Sequence, residues 1–189
     1  MARDPAGHLK NLAAAAAAAA DVLGPSIARA ADMVRATVNG GGTLFFCGNG
    51  GSAADAQHMS TEYVVRYNRN RRAIAAVALT TDTSIITAAG NDLSFDQIFA
   101  RQVEALCRPG DLLIVHTTSG NSPNLLRAVE AARQKGVSTL ALSARGGGAI
   151  STLVDHCIVV PTDRTDRAQE LQLNIQHTIC EMIDDETSS

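Results

Sequence analysis

The chain has 189 residues, of which 46% are hydrophobic and 19% are charged, and its net charge is −3. This balance is typical of a globular chain with one full core and excludes a disordered chain. Aromatic residues make up only 3%, tryptophan is absent, and arginines cluster only at 66–72. These features argue against a nucleic-acid groove, which needs a basic stripe or stacking aromatics.

The cysteines form no C-x-x-C pair. Cys47 and Cys157 lie in apolar runs, where a small buried thiol is the expected role. We therefore expect free thiols and a reducing, cytoplasmic location.

The first predicted element is a helix over residues 5–39 with a break at Gly24–Pro25. The alanine run 13–20 could be taken for a signal peptide, but Asp4, Lys10 and Asp21 flank it. Alanine has the highest helix propensity, so a helix is the favoured interpretation. No apolar stretch reaches the roughly 18 residues of a membrane span, and we expect no membrane contact.

Beyond glycines 40–42, short apolar runs alternate with helical stretches, the last of which extends to about residue 185. Because these runs are apolar throughout, they predict strands buried on both faces. We expect an α/β fold, a doubly wound five-stranded parallel sheet flanked by helices. The predicted strands are 43–46, 73–79, 111–116, 138–143 and 157–160. One domain over 1–189 follows, with an N-terminal helical segment (1–40) and an α/β core (41–189).

Two loops at predicted strand ends are rich in glycines and hydroxyls. Each leads into a predicted helix, whose first N–H groups and positive dipole end favour an anion. The loops are Gly48-Asn49-Gly50-Gly51-Ser52 and Thr117-Thr118-Ser119-Gly120-Asn121-Ser122. Without the lysine of a nucleoside-triphosphate loop, two such loops suit a sugar phosphate monoester. The alternative is that Ser52, Ser119 and Ser122 only cap helices.

A dinucleotide site is a competing interpretation, because Gly48, Gly50 and Ala53 match the G-x-G-x-x-G/A pattern after a strand. However, no acidic residue closes the second strand at the expected distance, since Asp82 comes later. The second loop is also unexplained by a nicotinamide cofactor.

His58 and Glu62 are four residues apart on a predicted helix, and the last helix carries Gln169 and His177. Histidine with glutamate can form a general acid/base pair or a set of metal ligands. The alternatives are a solvated surface pair for His58 and Glu62 and a core histidine for His177.

Several motifs extend over nearly the whole chain from about residue 40. They are "CGNGGSAADAQH" (47–58), Glu62, "GND" (90–92), "RQVEAL" (101–106), "GDLL" (110–113), "TTSGNS" (117–122), "VPTDRTDRAQE" (160–170) and His177. With them, the chain resembles the phosphoheptose isomerase family of sugar isomerase (SIS) domain proteins. The resemblance implies isomerisation of sedoheptulose 7-phosphate to D-glycero-D-manno-heptose 7-phosphate by a homotetramer with active sites between subunits.

The resemblance also assigns roles to residues. It makes Glu62 the general base and His177 its acid/base partner. It implies a zinc site formed by His58, Glu62, Gln169 and His177. It places Ser52, Thr118, Ser119 and Ser122 at the phosphate, and Asn49, Arg66 and Asp92 elsewhere along the site.

The same family contains non-catalytic relatives, such as the DnaA initiator-associating protein, which leave a sugar-phosphate-binding or protein-docking module as the alternative. The presence of Glu62 and His177 favours the enzyme. One departure from the family pattern is Gln172, which stands where a histidine is common.

Overall fold

Helices and strands alternate along the part of the chain that the structure, a computed structural model, describes. It covers residues 4–187, with side chains described through residue 184. The helices are α1 (Pro5–Asn39), α2 (Gly51–Val64), α3 (Thr83–Asp92), α4 (Ala100–Leu106), α5 (Pro123–Gln134) and α6 (Thr165–Thr187). The strands are β1 (Leu44–Gly48), β2 (Ala76–Ala78), β3 (Leu112–His116), β4 (Ser138–Ser143) and β5 (His156–Val159). Two 3₁₀ turns lie at Phe95–Gln97 and Ala149–Thr152.

The sheet has five strands in the order β2-β1-β3-β4-β5, and all of its pairings are parallel. The predicted fold class is therefore confirmed. In the register, Leu44 of β1 lies between Ala76 and Leu112. Chain order reverses between β1 and β3, so the carboxyl ends of these two strands flank the crevice in which such sheets bind ligands.

The sheet separates two apolar layers. Every residue of β1 and β3 is buried, as their continuous apolar runs predicted. One layer packs α1, α2 and α6 against the sheet. The other packs α3, α4 and α5 against the opposite face. The loops that follow β1 and β3 thus extend from fully buried strands.

Helix α1 is continuous, and the predicted break at Gly24–Pro25 is wrong. The Asp4 side chain caps its start by accepting from the Ala6 N–H at 3.0 Å. A proline removes one helical hydrogen bond, but Asp21 and Pro25 are exposed, so water can satisfy the freed carbonyl. Buried residues on both sides of the proline, Leu23 and Ala30, hold the two halves in line.

Within the described residues, α1 is the one helix long and apolar enough to cross a membrane by length and composition. The expectation that no stretch reaches this length is therefore wrong, because alanines sum to a moderate hydropathy over many residues. The feature is weak evidence for a membrane, since core helices of soluble proteins pass the same test. The C-terminal half of α1 packs in the core through Ala30, Ala31 and Val34.

Strand β2 is shorter than the predicted 73–79. It is an edge strand that pairs only with β1, and residues 73–75 lie before the paired register.

The thiol prediction is confirmed: all four cysteines are free. Burial raises the pKa of Cys157 to about 11.

Candidate active site

A cavity of about 260 Å³ opens at the carboxyl ends of β1 and β3. Both predicted anion-binding loops contribute to it, and so does the first part of α6. Its lining comprises Asn49, Gly50, Gly51, Ser52, His116, Thr117, Thr118, Ser119, Ser122, Leu125, Thr165 and Gln169. Hydroxyls and backbone predominate, which suits an anion that is bound by neutral donors.

Close backbone approach explains the glycines of the two loops. A methyl group at Gly51 would lie 2.4 Å from Nε2 of Gln169, and one at Gly120 would lie 1.9 Å from the carbonyl oxygen of Gly147. Gly120 also has a φ of +67°, a left-handed conformation that side chains disfavour. The loop after β3 therefore reaches the Gly147 backbone only because Gly120 lacks a side chain, whereas the neighbour of Gly51 is the flexible end of Gln169.

Helix capping does not account for the serines. Ser122 is the residue before α5, yet its hydroxyl makes no capping hydrogen bond, and the corresponding position of α2 is Gly50. Ser119 Oγ does accept from the Asn121 N–H at 3.2 Å, which stabilises the turn. Ser52 is buried in the first turn of α2. The hydroxyls thus line the cavity rather than close the helix ends.

The two loops are tied to each other by a pair of amides. Asn49 Nδ2 donates to Asn124 Oδ1 at 2.9 Å, and Asn124 Nδ2 donates to Asn49 Oδ1 at 2.8 Å. Asn49 belongs to the loop after β1, and Asn124 to the first turn of α5. This reciprocal pair fixes the spacing across the crevice.

A buried polar layer lies behind the loop after β3. Gln172, the departure from the family pattern, is buried and donates from Nε2 to the Thr117 carbonyl at 2.7 Å. The Gln176 amide nitrogen lies 3.0 Å from His116 Nε2. With that nitrogen as donor, His116 carries its own proton on Nδ1. Burial lowers the pKa of His116 to about 4, so the ring is neutral at physiological pH.

The second part of the site is a cluster formed by α2 and α6. His58 Nε2 lies 3.1 Å from Glu62 Oε1 and 3.4 Å from His177 Nε2. The ligand atoms of all three residues lie within 4.8 Å of one another. Tetrahedral ligands at about 2.0–2.1 Å from a zinc ion are separated by roughly 3.3 Å, so this donor set fits such an ion.

Burial lowers the pKa of His177, and the neighbouring His58 lowers it further, while Glu62 acts in the opposite direction. The His177 imidazole is therefore biased toward its neutral form, in which one nitrogen can accept a proton or bind a metal. His58 and Glu62 thus belong to a three-residue cluster and do not form the isolated surface pair that was the alternative, and His177 is not an isolated core histidine.

Two helices join the cavity to the cluster. Helix α2 begins at the cavity with Gly51 and Ser52 and carries His58 and Glu62 along its length. Helix α6 begins there with Thr165 and carries His177 further on. The cavity and the cluster are therefore connected through the same two helices.

Two predicted site residues lie outside the cavity lining. Arg66 and Asp92 are exposed and do not belong to the cavity lining. Asp92 accepts from the neighbouring Asn91 amide at 2.7 Å.

Sequence reasoning overlooked two side chains that the structure places at the site. His116 lines the cavity, and Tyr67 stacks on His177 with ring centroids 5.3 Å apart. The position of His116 at a strand end was a usable signal. Nothing in the sequence around Tyr67 indicated its role, because its contact joins segments that are over one hundred residues apart in the chain.

This fold and site define an SIS domain with a hydroxyl-lined cavity and a cluster of two histidines and a glutamate, and residues 8–144 match the family model described as "SIS domain". The phosphoheptose isomerase of Rhodospirillum rubrum is 50% identical over 85% of this chain and 86% of its own length. That of Akkermansia muciniphila is 46% identical over 95% of this chain and 93% of its own.

Solved structures agree with these relatives. The phosphoheptose isomerase of Neisseria gonorrhoeae superposes with a TM-score of 0.91 at 41% identity, over 95% of this chain and 96% of that one. The chain belongs to the phosphoheptose isomerase family of SIS domain proteins.

Proposed function

We propose that the protein interconverts sedoheptulose 7-phosphate and D-glycero-D-manno-heptose 7-phosphate. One observation carries the proposal: α2 and α6 each run from the anion cavity to the cluster of His58, Glu62 and His177. Membership of the phosphoheptose isomerase family supplies the substrate class. A sugar-phosphate-binding or protein-docking module needs no acid/base groups. The presence of this cluster therefore does not favour that alternative.

The phosphate binds in the cavity. Its oxygens accept from the hydroxyls of Ser52, Thr118, Ser119 and Ser122 and from the backbone around Gly50 and Gly51. Helix starts at α2 and α5 add their positive dipole ends. With one end fixed, the rest of the sugar extends toward Glu62 and His177, and positioning of this kind is a large part of catalysis.

The chain's own residues move the protons. Glu62 removes a proton from C1 of the ketose, and the electron pair forms the C1–C2 double bond of an enediol, while His177 in its protonated form, which the Glu62 carboxylate favours by raising its pKa, gives a proton to the C2 oxygen. Glu62 then returns its proton to C2, and the hydroxyl proton on the C1 oxygen goes back to His177. The product is the aldose, and both groups are restored.

The same cluster fits a zinc ion, with Gln169 as a fourth candidate ligand from α6. When bound, such an ion polarises a carbonyl and stabilises negative charge on oxygen. His58, Glu62 and His177 provide the donor set that the structure brings within 4.8 Å.

Arg66 and Asp92 fit the proposal if the protein is a homotetramer with active sites between subunits. Both residues are exposed, as are nearby apolar side chains at the β2 edge of the sheet. The exposed apolar residues of this region include Val64, Val65, Val77, Leu93 and Phe95. A neighbouring subunit would cover this surface and receive Arg66 and Asp92 at its own site.

Residues 1–189 then form one SIS domain that acts in the cytoplasm. Free thiols at all four cysteines support a reducing compartment. The packing of α1 against α6 supports one domain rather than two.

Isomerisation in deuterated water tests the proposal. Purified protein is incubated with sedoheptulose 7-phosphate, and aldose formation and deuterium at C1 and C2 are followed by NMR. Aldose product with solvent label on either carbon is expected. Absence of both product and label would leave only a binding module.

A further inference from the structure

We propose that Tyr67 is a positioning residue that holds the His177 imidazole in its working orientation, and that a buried ion pair between Arg71 and Asp184 keeps Tyr67 in place. The inference rests on the proposed isomerase function. It concerns residues 66–71, called here the 66–71 loop, which follow α2 and lie outside the cavity lining.

The first observation is ring stacking. The Tyr67 and His177 rings are 5.3 Å apart between centroids and inclined by only 20°. His58 contacts the same imidazole edge-on, at 5.1 Å and 62°. Two rings therefore restrict rotation of His177 about its side-chain bonds. A stacked pair biases such an orientational equilibrium by roughly two- to tenfold.

The second observation explains why an irregular loop can hold a ring firmly. Asp184 Oδ2 accepts from the backbone N–H groups of Asn68 at 2.9 Å and Arg69 at 3.1 Å. Its other oxygen accepts from Arg71 Nε at 2.6 Å. The Arg71 and Asp184 side chains are each only 1% exposed. One carboxylate thus fastens the residues on the C-terminal side of Tyr67 to α6.

The Arg71 guanidinium also caps the C-terminal end of α2. Arg71 Nη2 donates to the Glu62 carbonyl at 2.7 Å, and Nη1 donates to the Tyr63 carbonyl at 2.9 Å. These are carbonyls of the last helical turn, which have no partner within the helix. Arg71 therefore fixes the turn that carries Glu62, while Asp184 lies on the helix that carries His177.

Together, the contacts set both members of the acid/base pair relative to each other. Glu62 is held through the end of α2, and His177 is held through the ring of Tyr67. The stacking uses the face of the tyrosine ring and not its hydroxyl. Phenylalanine at this position should therefore preserve the effect, whereas leucine keeps apolar volume but removes the flat face.

The experiment compares wild type with Tyr67→Leu, using Tyr67→Phe as the matched control. kcat and KM are measured with sedoheptulose 7-phosphate, and Zn²⁺ affinity is measured by competition with a chelator. Thermal melts confirm that all three proteins are folded at the assay temperature.

We expect Tyr67→Leu to lower kcat and weaken Zn²⁺ binding by about tenfold each, because groups that orient a ligand typically have effects of this size or larger. KM should change little, since the phosphate cavity does not include Tyr67. Tyr67→Phe should match wild type in all three quantities.

A Tyr67→Leu protein with wild-type kcat and Zn²⁺ affinity would overturn the inference. So would equal damage in both variants, which would point to the hydroxyl. An inactive wild type would instead refute the isomerase function, and the Zn²⁺ comparison would still test the stacking.

Discussion

Glu62 has the most demanding role of any single residue in the proposed reaction, because it must remove a proton from carbon. It sits on α2 with its carboxylate 3.1 Å from His58, and its side chain is 20% exposed. An amide of the same shape can still accept a hydrogen bond but cannot take up a proton under these conditions.

The first prediction follows directly. Glu62→Gln should lower kcat by about 10²–10⁴-fold, the usual contribution of a general base, with little change in stability. The rate of aldose formation measures it, and Thr61→Ala, an exposed neighbour on the same helix, is the control. Near-normal turnover in Glu62→Gln would rule Glu62 out as the base.

His116 makes the stability of the protein depend on pH. Burial lowers its pKa from the ordinary histidine value of 6.5 to about 4. Between these values the unfolded chain binds more protons than the folded one, so the free energy of unfolding falls as pH falls from about 6.5 toward 4. The total loss from this one group is about 3 kcal/mol.

Denaturant unfolding at a series of pH values tests this second prediction. His116→Phe removes the titrating group, so the fall in unfolding free energy between pH 6.5 and 4 should become smaller by up to about 3 kcal/mol. Thr61→Ala, at an exposed position of α2 that carries no titrating group, should leave the pH dependence as in wild type. An unchanged dependence in His116→Phe would contradict the assignment.

At the scale of elements, alanine substitutions at Gly51 and Gly120 test the two glycine-containing loops. An added methyl at Gly51 meets the end of the flexible Gln169 side chain, whereas one at Gly120 meets the backbone of Gly147 in a left-handed conformation. Gln169 can move aside, but the Gly147 backbone is held by hydrogen bonds: its N–H donates to the Ala144 carbonyl at 2.8 Å and its carbonyl accepts from Ser143 Oγ at 3.0 Å. The two substitutions should therefore separate activity from stability.

We expect Gly51→Ala to raise KM with little change in unfolding free energy. Gly120→Ala should lower the unfolding free energy by about 1–3 kcal/mol and also raise KM. Steady-state kinetics and denaturant curves measure both effects, with Gly24→Ala in α1, where an added methyl meets nothing within 4 Å, as control. The third prediction is wrong if Gly120→Ala is as stable as wild type.

Elements with a strong local signal could be predicted from the sequence. The apolar runs of β1, β3 and β4 predicted buried strands, because no other short element is apolar on both faces. The break in α1 was wrongly predicted because an exposed carbonyl tolerates a proline and the core packing on either side keeps the helix continuous. Local sequence does not report such packing.

The site residues also fall into those that could be predicted from the sequence and those that could not. The loops after β1 and β3 could be predicted, since their chemistry and their place at the strand ends are local properties. The roles of Glu62 and His177 required the resemblance to a known family, because spacing alone left a surface pair and a core histidine open. The contacts of Tyr67, Arg71 and Asp184 could not be predicted, since they depend on how α2 and α6 meet.

For the whole molecule, the exposed apolar surface is the feature to explain. Leu9 and Val22 of α1 are 68% and 60% exposed, and Phe95 is 60% exposed on the opposite layer. Large apolar side chains in such positions are typical of surfaces that a partner covers. Cyclic or dihedral assembly of identical chains is the usual way to cover them.

The fourth prediction is that the protein has four times the mass of one chain by light scattering, and that Phe95→Asp lowers this mass. Activity should fall with it if Arg66 and Asp92 serve a neighbouring site. Arg127→Ala, which removes an exposed ion pair with Glu130, is the control and should change neither quantity. A monomeric and fully active wild type would refute the assembly.

Helix α6 runs past both parts of the site, and this limits the changes in its length that evolution can accept. One residue inserted or deleted between Gln169 and His177 would rotate the imidazole by about 100° around the helix axis. Gene variants with altered length in this interval should be eliminated by selection, whereas exposed loops away from the site tolerate changes of length better. Insertions and deletions accepted over evolution should therefore map away from α6.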